Sequence, residues 1–248
     1  MRPSLRLLSA LAFASFAVAP LTAVAQAPPP APVSAEAYRQ DALALPALIE
    51  AKYAYLERLP DGRFPMSREL TAQAEAVHDA ASLLRYAESA LTVLADHHAI
   101  TGSSFPDSWA VVPSYADLWI EPVGRNWVIT DVRDGSPAAE AGVRPGDRLL
   151  AIDDRAVDDA VALFWSKVGL APQGERATFA AGVLAAGRRD RPRNLMIESA
   201  DGVQRRLTLP NLYTTQRDRT PVRSRQAGDV LEIRINDALG DQATIAAF

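Results

Sequence analysis

The 248-residue chain contains no cysteine, which excludes disulfides, thiolate-held metals and a lipid-modified N-terminal cysteine. It has no basic excess: 26 Lys+Arg stand against 30 Asp+Glu, a formal charge of -4. Without Arg2 and Arg6 near the N-terminus the balance is 24 against 30, about -6 by the same counting. That argues against a nucleic-acid partner, which asks for a basic face. Lysine is almost missing, with Lys52 and Lys167 the only two. After Val24 no apolar run approaches the length that spans a bilayer. What remains, 48% hydrophobic and 23% charged residues, suits a globular protein with a real core, in one or two domains. No cofactor is implied.

The first 25 residues have the pattern of a signal peptide. Arg2 and Arg6 give a positive start, Leu7 to Val24 is almost wholly apolar, and Ala23-Val24-Ala25 is a small-x-small cleavage site before Gln26. An uncleaved anchor is the alternative; Pro20 and the Ala-rich end favour cleavage. The expected product is a periplasmic protein, soluble and without stable membrane insertion after cleavage.

The most demanding stretch is Trp127 to Asp154. Trp127 to Val132 predicts a strand of mostly β-branched residues. Asp134-Gly135 turns the chain, Ser136 caps a short helix with Pro137 in its first position, and Gly142 ends it. Pro145-Gly146-Asp147 then turns into a second strand, Arg148 to Ile152. The alternative is an unrelated Gly/Pro-rich hairpin. Gly135-Ser136-Pro137-Ala138, Ala141-Gly142-Val143 and Pro145-Gly146-Asp147 resemble the signature of a PDZ domain of the bacterial protease type.

Around this stretch the chain predicts an α+β organisation. A proline-rich tether at 26–33 leads into a helical domain at 34–105. There Ser34 caps a helix that Pro46 interrupts, a second helix reaches Leu59, and Ser67 caps another. Leu70, Ala74, Val77, Ala81 and Leu84 give a buried stripe, and the pattern leaves open whether Ser82 restarts the helix. Asp96-His97-His98 is the place where two histidines meet a carboxylate. It reads either as a metal pair or base for Ser103 or Ser104, or as a helix end favoured by the dipole. Adjacent histidines point about 100° apart on a helix, which disfavours a shared metal.

The PDZ-like domain is expected at 106–213, with a strand at Leu118 to Val123 and helices at Asp158 to Val168 and Gly174 to Gly187. A basic run from Arg188 to Arg193, read as a solvated loop or an anion site, precedes a hairpin of Asn194 to Ser199 and Val203 to Leu209. The resemblance implies peptide binding by β-augmentation, in which an open strand edge adds the ligand as a strand and a loop holds its carboxylate. On that basis the peptide-binding residues are Tyr115, Leu118, Trp119, Ile120, Val161 and Trp165. Tyr115-Ala116-Asp117 stands where the family usually shows glycines, and Asp117 would repel a carboxylate.

Residues 214–228 read as a linker, followed by an alternating strand, Asp229 to Asn236, and a helix capped by Asp241. This ending resembles the entry to the α/β core of the C-terminal processing (tail-specific) serine peptidases, whose helical segment and PDZ domain come in the same order. The resemblance implies that 229–248 is the truncated first strand and helix of that core, with the catalytic Ser/Lys beyond it. Ser166-Lys167 are helix neighbours that point apart, so no catalytic residue is assigned. Two readings stand: the amino-terminal part of an exported serine endopeptidase, or a stand-alone periplasmic adaptor that binds unfolded or C-terminal protein segments.

Overall fold

The computed structural model describes residues 33–214, 222–235 and 246. The expected signal peptide, the tether up to Pro32 and the helix from Asp241 lie outside the described residues, apart from Ala246.

Helix α1, Ala35–Lys52, opens at Ser34, whose hydroxyl accepts from the Ala37 N–H at 3.1 Å. It runs through Pro46, against the expected interruption. An interior proline costs about 3 kcal/mol, and here Ala42 and Ile49, on either side of it, are both packed in the core. The helix ends at Lys52 rather than Leu59, because Tyr53 turns extended and sends its hydroxyl to Asp96 at 2.9 Å. Two short 3-10 turns, Leu56–Arg58 and Pro60–Gly62, follow.

Helix α2, Arg68–Glu75, is capped by Ser67 as expected, its hydroxyl accepting from Leu70 N–H at 3.0 Å. Helix α3, Ala80–Thr92, starts afresh from an Asp79–Ser82 capping box. That break resets the helical phase, so Tyr86 and Ala90 turn inward while Ala81 is exposed and Leu84 only half-buried.

The β part is an antiparallel sheet in the order β1-β2-β3-β5-β6. Its strands are β1 Leu118–Val123, β2 Asn126–Val132, β3 Arg148–Ile152, β5 Arg193–Glu198 and β6 Gln204–Leu209, with a two-residue β4, Arg155–Ala156, beside β3. Helices α4, Pro137–Glu140, and α5, Val157–Ser166, match the expected pieces closely. Helix α6, Glu175–Ala186, is framed by Gly174 and Gly187 and is apolar almost all round. A helix of that kind must be buried. Phe179, Ala180, Ala181, Val183, Leu184, Ala185 and Ala186 are.

One apolar core runs from the helices at 35–92 into the sheet. At the junction the first turns of α2 meet the last carbonyls of α5. Ser67 donates to Val168 O at 2.7 Å and Gln73 donates to Lys167 O at 2.9 Å. These bonds satisfy helix-end acceptors that otherwise lack partners. Gly169 (φ 67°) is required there, since a Cβ would fall 2.0 Å from the Glu69 carboxylate.

The second half of the expected linker is not irregular: β7, Val222–Ala227, pairs with β8, Val230–Ile235, across Gly228-Asp229. VRSRQA has no apolar alternation, so its strand character comes from pairing with β8, including the Arg225–Glu232 ion pair.

Candidate functional site

The signature loop is a rigid frame. Ser136 caps α4 by accepting from Ala139 N–H at 3.3 Å, and Gly142 (φ 80°) takes a conformation that disfavours any side chain. Ile129 and the Pro145-Gly146-Asp147 turn exchange two backbone bonds at 2.8 Å. Arg205, on β6, donates to Ala141 O at 3.0 Å and Gly142 O at 3.2 Å and lies 3.7 Å from the Asp147 carboxylate.

The loop before β1 differs from expectation. Asp117 does not face a ligand. It is fully buried and held by Arg193 through two N–H···O bonds of 2.5 Å. Its carboxylate also accepts from Ala138 N–H at 3.2 Å, and Arg193 reaches Ala185 O at 2.9 Å. A carboxylate with these partners is neutralised inside the protein and repels nothing outside it. Arg193 closes the basic run of the sequence. Its inward position shows in the alternation Arg193, Leu195, Ile197 of β5, in which a buried guanidinium calls for a buried acid.

The six expected peptide-binding residues do not form one surface. Leu118, Ile120, Val161 and Trp165 are core residues, and the Trp165 indole N–H is committed to Arg176 O at 2.9 Å. The structure thus places these four in the core. Trp119 is 39% exposed, with the Arg133 guanidinium 5.9 Å from its ring centre. Tyr115 is half-buried and stacked on Tyr213 at 3.6 Å between centroids. The reason for the burial is α6, which packs against both β1 and α5, the two elements expected to flank a peptide.

A second feature gives the molecule an open concave surface: a cavity of about 560 Å³ between α3, the segment 99–112, the end of α5 and Arg188-Arg189. Leu91, Trp109, Val111, Phe164 and Val168 give it an apolar lining. Among the described residues four cations, Arg85, Lys167, Arg188 and Arg189, and two acids, Glu88 and Asp107, lie around them. Arg85 and Arg188 share Asp107, Arg188 at 3.4 Å. Hydrogen bonding from Arg85, and then the nearby Arg188 charge, hold the Asp107 carboxyl below its usual range. Arg189 instead donates to the Ser104 hydroxyl and lies 4.5 Å over the Tyr213 ring.

The histidine cluster is not on a helix, since α3 ends at Thr92. His97 places Nδ1 2.5 Å from Val111 O and packs on Phe179 at 4.7 Å. His98 donates its backbone N–H to Asp96 at 2.8 Å. Burial alone would push the Asp96 carboxyl up, but bonds from His98 N–H, the Tyr53 hydroxyl and the His98 ring hold it below the usual range. Among the described residues no three metal-ligating side chains come together.

The sequence profile described as "PDZ domain" matches residues 128–163, from β2 into α5. The chain therefore carries a PDZ domain within a mixed helical and antiparallel-sheet fold. Among solved structures, mature CPAF is similar at a TM-score of 0.42 and 14% identity, over 71% of this chain and 35% of that one. A photosystem II D1 C-terminal processing protease is similar at a TM-score of 0.33 and 16% identity, over 76% of this chain and 46% of that one. The chain thus spans between a third and a half of the solved structures it matches. No curated protein matches it. Among the described residues no helix is long and apolar enough to cross a membrane.

Proposed function

We propose that this chain is the amino-terminal region of an exported serine-type endopeptidase of the C-terminal processing family, in which the PDZ domain captures unfolded or C-terminal protein segments. The observation that carries this reading is the PDZ signature at Gly135 to Asp147, set in a family match over 128–163 and placed between a helical segment and a further β hairpin. The signal-peptide pattern of residues 1–25 supports export to the periplasm.

The region's part in the reaction is capture, not bond cleavage. Of its two lysines, Lys167 is exposed just beyond α5, and its neighbour Ser166 donates to Leu163 O at 2.9 Å. That serine is engaged with its own helix, and among the described residues no base accepts its proton. Tethered capture raises the effective concentration of a bound segment near a catalytic domain without supplying a catalytic group.

The test is a fluorescence-anisotropy titration of unstructured peptides with free apolar C-termini, run beside a casein-hydrolysis assay. The expected result is saturable peptide binding and intact casein. A titration flat into the millimolar range overturns the capture role, and hydrolysis through one of the chain's own serines overturns the division of labour.

A further inference from the structure

The place where a PDZ ligand's carboxylate would be received is closed here. The loop ahead of β1 is locked by the buried Asp117–Arg193 pair, and the C-terminal end of α6 is tied to the same guanidinium through Ala185 O. The apolar body of α6 packs on β1 and α5. A ligand strand entering there would have to displace α6, whose side chains from Phe179 to Ala186 are largely buried.

The cavity beside α3 has the features that the groove has lost. Its volume of about 560 Å³ suits one or two residues of a ligand. Trp109, Phe164 and Val168 line it with apolar surface, and four cations outnumber two acids in a chain whose formal charge is -4. Local charge opposite to that of the whole molecule draws an anion to this spot. Arg85 and Arg188 already share Asp107, whereas the Lys167 ammonium and the Arg189 guanidinium have no carboxylate partner among the described residues. Lys167, Trp109, Phe164 and Arg188 together line a second pocket as well, so the cation and the aromatic rings share both surfaces.

We infer that this cavity, rather than the space between β1 and α5, takes the last residue of a peptide. The apolar side chain rests on Trp109 and Phe164, and the terminal carboxylate is drawn to Lys167, with Arg189, which holds a hydroxyl and a ring but no carboxylate, as the second cation. The inference rests on the peptide-capture reading above and gives that reading a location.

The experiment is an anisotropy titration of the whole chain with a labelled unstructured decapeptide ending in a free leucine carboxylate. The same peptide with an amidated end, unlabelled octanoate as competitor, and the variants Lys167→Glu, Lys167→Met and Val123→Glu complete it. Expected are a loss of about tenfold on amidation and in both Lys167 variants, with Val123→Glu on β1 within about twofold of wild type. Using two Lys167 variants guards against misfolding of one. Unchanged affinity in the Lys167 variants, or loss in Val123→Glu alone, overturns the cavity while leaving peptide capture standing. Octanoate competing as well as the unlabelled peptide also overturns it, since the site would then serve a small acid. If wild type binds no peptide, the capture reading itself has failed.

Discussion

Arg193 and Lys167 sit at opposite extremes of how this protein uses a cation. Arg193 is buried and bonded to a carboxylate and a helix-end carbonyl, and so locks the head of β1 to the end of α6. Lys167 is exposed at the edge of an apolar cavity, with no carboxylate on it among the described residues. Burial removes water as a partner, so the first charge must be balanced internally, and a pair held in this way is structure. The second keeps its water and can exchange it for a ligand. By this criterion recognition is to be sought where a charge is accessible and unspent, not where the fold family usually places it.

The contrast is broken most severely at Arg193. The substitution Arg193→Met leaves Asp117 as a lone buried carboxylate and should cost about 3–5 kcal/mol in urea denaturation. Replacing both partners by apolar residues should restore most of that loss. A cost below about 1 kcal/mol for the single variant would mean that the pair does not hold the loop. Next comes the fit of α6: Ala181→Leu adds volume where the residue is fully buried and should cost about 1–3 kcal/mol, read from the same curves. At Lys167 the expectation reverses. Lys167→Glu should leave stability within about 0.5 kcal/mol while peptide affinity falls about tenfold.

An effect confined to high pH is expected at Tyr53, a half-buried polar contact between these extremes. Burial first, and then the hydrogen bond to Asp96, push its hydroxyl from 10.0 up to about 12. The folded state therefore holds this proton more tightly than the unfolded chain. Its contribution to stability is complete below pH 10 and is lost as the pH rises toward 12. Thermal melts across that window should fall more steeply for wild type than for Tyr53→Phe, and parallel curves would remove the Asp96 contact from the account.

Much of the fold was legible wherever local backbone demands were strict. Gly135 to Asp147 specifies turn, capped helix and turn residue by residue, and Gly174 and Gly187 bracket α6. Strands β1 and β3 fall where their apolar runs placed them. What stayed hidden was set by distant partners. Pro46 continues a helix because core contacts on both sides outweigh its local cost. Asp117 and Arg193 are 76 residues apart, and no local pattern joins them. The apolar alternation of the hairpin starts at Asn194, one residue short of the arginine that points inward. A run such as that of α6 shows that it must be buried but not against what, so the filling of the space beside β1 was beyond the sequence. The cavity is assembled from stretches far apart in the chain, from Gln73 to Tyr213, and has no motif of its own.

The most direct test is hydrogen exchange of the backbone amides, with and without saturating free-carboxylate peptide. Slowed exchange across residues 99–112 and at Arg188-Arg189, with Leu118–Val123 unchanged, is the predicted result. New protection along Leu118–Val123, with the cavity segments unaffected, would mean that α6 gives way and that the peptide adds to β1 after all.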